Sequence, residues 1–145
     1  MRLTVYFIFF SLIFSACKEK ATTETENTPN SKENKTLESQ VLAIHDEVMP
    51  EMGNIHAAKK QLRNVMNETQ NDSLITKILQ LIDNLEKADE GMMDWMGKWD
   101  VPEKDPEKTN YLQAEKNKIT KVKVDMLSSI EAANQLISKM NNNEN

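Results

Sequence analysis

Cysteine, glycine, histidine and aromatic residues are all scarce in this chain of 145 residues, and each scarcity removes a class of chemistry. The single cysteine, Cys17, leaves no partner for an intramolecular disulfide. It also leaves no cysteine pair for a zinc site or for a CxxCH haem attachment. With only 3 glycines, the chain offers no Gly-rich loop to cradle a phosphate and no strained nucleophile elbow. The 2 histidines, His45 and His56, fall in one helical segment and form no HExxH motif. Aromatics make up 6%, and beyond Cys17 they are Trp95, Trp99 and Tyr111. The formal net charge of -5 comes without a basic, aromatic stripe, which argues against nucleic acid as a partner. Charged residues reach 28%, yet the carboxylates are scattered, and neighbours such as Asp89 and Glu90 point in different directions. Nothing in this pattern points to an enzyme.

What the chain does have starts at its first residue. Arg2 supplies a positive charge, Leu3 to Phe14 is almost wholly apolar, and Phe14-Ser15-Ala16-Cys17 places small residues before the cysteine. A secretory signal needs a basic start, an apolar run of roughly 7–15 residues and a small-residue cut site. A spanning helix needs about 20 apolar residues, and charge returns here at Lys18. The stretch resembles a bacterial lipoprotein signal peptide with its lipobox, Phe14 standing at the first box position where an aliphatic residue is usual. The resemblance implies cleavage before Cys17, a diacylglycerol on its sulfur and an acyl chain such as palmitate on its amine. Two or three acyl chains anchor stably, whereas one holds only marginally. Such acylation consumes the lone thiol and removes it as a nucleophile. Loss of residues 1–16 deletes Arg2 and takes the formal charge from -5 to -6. Cys17-Lys18-Glu19 resembles the charged post-cysteine signals that send lipoproteins of some Bacteroidota to the cell surface. The chain as a whole resembles small helical envelope lipoproteins of that kind.

Residues 18–35, KEKATTETENTPNSKENK, contain no large apolar side chain. Such a segment cannot bury enough surface to offset its ordering entropy, so residues 17–35 are expected to form a lipidated cysteine and a disordered tether. From Thr36 the composition changes, and 36–142 reads as one helical domain. The first segment, about Leu37 to Asn67, carries Leu37, Val41, Ile44, Val48, Ile55, Leu62 and Met66 on one face at 100° per residue. Pro50 lies inside it, so this helix is expected to kink or to split there. Asn71, Asp72 or Ser73 can cap a second helix, about Leu74 to Trp99. Its stripe is Leu74, Ile78, Leu81, Leu85, Met92, Trp95, Met96 and Trp99. Asp105 as N-cap and Pro106 at the first position open a third helix. This helix is lined by Leu112, Ile119, Val122, Met126, Ile130, Ala133, Ile137 and Met140, with an Asn-rich end expected to fray. Three long helices with short connections predict an all-α, antiparallel three-helix bundle running up-down-up, monomeric rather than a coiled-coil dimer.

One constellation rises above generic helix. His45, Met49, Met52 and His56 follow at spacings of 4, 3 and 4 beside the aliphatic stripe, and the second helix carries Met92, Met93 and Met96. A hairpin turning near residue 70 sets Met49 opposite Met92 and His45 opposite Met96. Thioether and imidazole together favour Cu(I), and methionine serves such an ion without forming disulfides. The carboxylates Asp46, Glu47, Glu51, Asp89, Glu90 and Asp94 could instead recruit Zn²⁺ or Ni²⁺ with the histidines. A haem held by His and Met is a further reading, although three helices leave a thin pocket for a porphyrin. Against all of these stands packing, since methionine fills irregular core gaps well. The aromatic group Trp95, Trp99 and Tyr111 is either a cap on one end of the bundle or a partner-binding patch. The sequence therefore predicts a membrane-anchored envelope lipoprotein whose bundle is a non-catalytic binding or scaffold module for an envelope protein. Copper handling through the His/Met cluster is the alternative, and no cofactor other than copper is expected.

Overall fold

The computed structural model describes residues 29–143, with side chains from 32 to 142. The signal-like stretch, Cys17 and residues 18–28 of the expected tether lie outside the described residues. Four helices follow in order: α1 Pro29–Val48, α2 Glu51–Glu68, α3 Asp72–Gly97 and α4 Glu107–Asn143. No strand occurs among the described residues. Together α1 and α2 form one interrupted arm, α3 returns antiparallel to it, and α4 runs back alongside α1 and α2. The all-α three-helix bundle expected from periodicity is the architecture observed.

The interruption falls where proline removes a backbone donor. Met49 still closes a full α turn, its N–H reaching the His45 carbonyl at 2.8 Å. Beyond it the Met52 and Gly53 amides bond back three residues, to Met49 and Pro50, at 3.2 Å each. Pro50 itself keeps helical angles, φ -60 and ψ -24. The chain therefore changes hydrogen-bond pattern for one turn while continuing to wind. As a result the seven-residue spacing survives the break: Val41, Val48, Ile55 and Leu62 are all buried, two on each side of it.

That spacing organises the core. Leu112, Ile119, Met126 and Ala133 repeat it on α4, and Ile78, Leu85 and Met92 on α3, every one of them buried. Apolar residues every seventh position make the seam of a left-handed helix pair. Each residue of the α1–α2 series has its α4 counterpart 71 positions later, the separation that also joins Asn34 to Asp105. Flanking polar contacts obey the same frame. Lys116 donates to Gln40 at 2.6 Å and Lys123 reaches Glu47, each across 76 positions. These are the residues before and behind the seam that pair across parallel helices. On the far side Lys59 and Arg63 both reach Glu86 of α3, at 3.5 and 3.1 Å. Exposed pairs of this kind contribute at most about 1 kcal/mol each; burial of each full-sized core side chain contributes about 1.5–3 kcal/mol.

At its first layer the seam is polar. Asn34 is 2% exposed and donates through Nδ2 to both carboxylate oxygens of Asp105, at 2.6 and 2.8 Å. The Thr109 hydroxyl lies 2.7 Å from Asn34 Oδ1 and 2.9 Å from Asp105 Oδ1. A buried polar pair in a mostly apolar seam fixes register, because any slip strands its hydrogen-bonding groups. Asn34's amide, with help from Thr109 and Lys108, holds the Asp105 carboxyl below its usual value in spite of some desolvation.

This contact corrects the expected tether. The segment 29–35 is helical, as the first two turns of α1, and the bundle begins there rather than at Thr36. Hydrophobic periodicity could not show it, since the buried position is an asparagine. Two smaller corrections concern α4. It starts at Glu107, one residue after the expected Pro106, and runs to Asn143 through the end expected to fray. Between α2 and α3 the cap is Asn71, whose side chain accepts from the Leu74 amide at 3.1 Å.

Candidate functional site

The α1–α3 contact gathers unusual side chains. His45, in the last turn of α1, comes up against the last turn of α3. Its Nε2 lies 3.4 Å from Met96 Sδ, and its ring centroid 5.6 Å from that of Trp95. Its other nitrogen, Nδ1, is 2.9 Å from Asp46 Oδ1. Trp95 continues to Trp99 at 5.2 Å, and Trp99 to Tyr111 at 5.8 Å. A row of tilted rings therefore runs from α1 across α3 to α4.

The α4 end of this row is pinned. Tyr111 accepts from the Asp100 amide at 2.7 Å and donates to the Lys98 carbonyl at 3.4 Å, tying the α3–α4 connection down. The α1 end is open. Leu42, His45, Trp95, Met96 and Trp99 line a cleft of about 210 Å³. Leu42, 39% exposed, forms its rim, and the His45 side chain is 21% exposed. Trp95 is buried, and its indole N–H has no hydrogen-bond partner among the described residues. An unsatisfied buried donor costs about 1–3 kcal/mol.

Of the seven residues singled out in the sequence, the structure brings His45 and Met96 into direct contact. Met49 and Met52 pack, partly buried, against the core. Met92 is fully buried in the seam, while Met93 next to it is 55% exposed. Consecutive helical residues point about 100° apart, so Met92 and Met93 cannot serve one site. His56 is exposed. It follows His45 by eleven residues, on nearly the same face but about 16 Å further along the axis. The reading that unites all seven around one ion is therefore narrowed to the His45–Met96 pair and its immediate neighbours. The carboxylate-based alternative fares worse: among the described residues no three of His, Cys, Asp and Glu cluster as metal ligands.

Leu42 is the part of the cleft that sequence reasoning missed. Leu42 sits off the aliphatic stripe, and only its placement beside α3's end makes it a wall. Other surface hollows are larger, about 390 Å³ between α3 and α4 for instance, but the lysines there are occupied. Lys87 bonds Asp83 at 2.6 Å and Lys121 bonds Asp125.

Among the described residues no helix is long and apolar enough to cross a membrane. Comparison with protein-family models, curated proteins and solved structures finds no match to this chain.

Proposed function

We propose that this chain is a lipid-anchored cell-envelope protein whose helical bundle is a non-catalytic binding module, with the Leu42–Trp99 cleft as its contact surface. The anchor rests on the Met1–Cys17 pattern, and the placement in the envelope, facing the periplasm or the cell surface, follows from it. The binding role is carried by one observation: the cleft exposes apolar rim, imidazole and thioether together at the α1–α3 contact, beside a buried indole N–H without a partner. Surface apolar groups scattered singly need no explanation, but a concave, mostly apolar group is the usual form of a recognition site. The bundle around it is rigidly registered by the Asn34–Asp105 contact and the α1–α4 seam, which suits a presenting scaffold.

Two measurements test the two halves. Expressed in a bacterium and fed an alkyne-tagged fatty acid, the full chain is expected to incorporate label and to lose its first sixteen residues. Cys17→Ser abolishes both; label that persists in that variant refutes the anchor. For the binding half, a photo-crosslinking residue at position 42 is expected to capture one stoichiometric envelope partner, and Trp99→Ala to abolish capture. Recovery of the uncrosslinked monomer alone counts against it.

A further inference from the structure

We propose that the cleft binds a single soft monovalent metal ion, Cu(I), between Nε2 of His45 and Sδ of Met96, with Trp95 as its aromatic wall. This inference rests on the reading of the cleft as the module's contact surface, and it names the ligand. The separation of the two donor atoms is the starting point, 3.4 Å. Metal–nitrogen and metal–sulfur bonds of about 2.0 and 2.3 Å would meet across that gap at roughly 105°, close to a tetrahedral edge. The Asp46 carboxylate stands 2.9 Å from the other ring nitrogen, Nδ1. This is the carboxylate–histidine arrangement that orients imidazole ligands in metal sites.

Donor identity sets the class of ion. One imidazole nitrogen and one thioether sulfur, with no carboxylate among the residues that line the cleft, match Cu(I) and reject the harder Mg²⁺ and Ca²⁺. Met49 follows His45 by one α turn on the same face of the arm and lies partly buried against the core, outside the lining of the cleft. The indole of Trp95 lies 5.6 Å from the imidazole centroid and lines the same cleft, where an aromatic ring suits a cation. Methionine and histidine also keep such a site functional in an oxidising envelope where cysteines would pair.

The test is an anaerobic titration of the full chain carrying Cys17→Ser, so that no thiol competes, with Cu(I) against a competing Cu(I) chelator while tryptophan fluorescence is followed. The expected result is one equivalent bound more tightly than micromolar, with quenching of emission that saturates at that equivalent. Met96→Leu, a near-isosteric change that preserves packing, and His45→Asn each weaken affinity at least tenfold. Met93→Leu and His56→Asn leave it within twofold. Helix content by circular dichroism separates ligand loss from unfolding, and Met96→Leu carries the test should His45→Asn unfold. Binding weaker than micromolar, or affinity unchanged in Met96→Leu, overturns the proposal. A null titration from a chain that is acylated and crosslinks its partner sinks the metal site alone. Loss of partner capture at position 42 with Cu(I) binding intact sinks the protein-binding reading instead.

Discussion

Gly91 lies well inside α3, which spans Asp72–Gly97, and a methyl group added to its Cα meets no atom within 4 Å. None of the described glycines has a positive φ, so nothing in the backbone at this position calls for glycine. Gly91→Ala therefore removes conformational freedom from the unfolded chain at no steric cost in the folded one. The expected gain is about 0.5–1 kcal/mol. Gly53, in the first turns of α2, has the same open space around it. The double variant is expected to gain about 1–2 kcal/mol, because neither new methyl touches a shared neighbour. For a domain of this size each kcal/mol raises Tm by about 3–6 °C. Urea unfolding followed by circular dichroism should show a higher midpoint with an unchanged slope. A Gly91→Ala chain less stable than its parent by more than about 0.5 kcal/mol refutes the reasoning, since it means that the space beside α3 is filled.

Core and surface leucines on the same helix should separate cleanly in the same assay. Leu85→Ala, at a fully buried seam position, is expected to lose about 2–5 kcal/mol, and Leu79→Ala, 53% exposed, to stay within about 0.5 kcal/mol; equal losses would contradict the assigned faces. The Asn34–Asp105 contact predicts a pH dependence of fixed sign. The folded carboxyl titrates below the unfolded one, so its contribution is complete above the unfolded value of about 3.9 and fades as pH falls through the lower folded value. Asn34→Ala should flatten the acid limb of the stability profile measured from pH 6 down to 2; superimposable limbs would refute it.

Much of this architecture was written in simple periodicity. Leu74 to Trp99 reads as a helix because its apolar residues return every third or fourth place, and Asn71 caps it as its side chain permits. Two features were hidden for physical reasons. The opening turns of α1 bury Asn34, which a hydrophobic pattern scores as solvent, and its partner Asp105 is distant in sequence. Glu115 is likewise buried on the α4 seam, only 3% exposed, where an apolar residue would be expected. Its carboxylate bonds Lys118 at 2.7 Å and raises that ammonium's pKa. The His/Met group was legible as a face of α1 but not as a site. Angular spacing placed His45 and His56 together, while rise along the axis set them apart. The hairpin register set His45 opposite Met96, and the packing of α3 makes that pair a contact.

The account depends most on Pro50 interrupting the arm without losing register, so that the end of α1 lies on the end of α3. A nuclear Overhauser measurement on the full chain, with methionine methyls isotopically labelled, tests this directly. With only 2 histidines in the chain, the ring protons are readily assigned by substitution. A strong cross-peak between the His45 ring and the Met96 methyl is predicted, given the 3.4 Å between Nε2 and Sδ. Its absence with both signals assigned, or its appearance on His56 instead, would contradict the account.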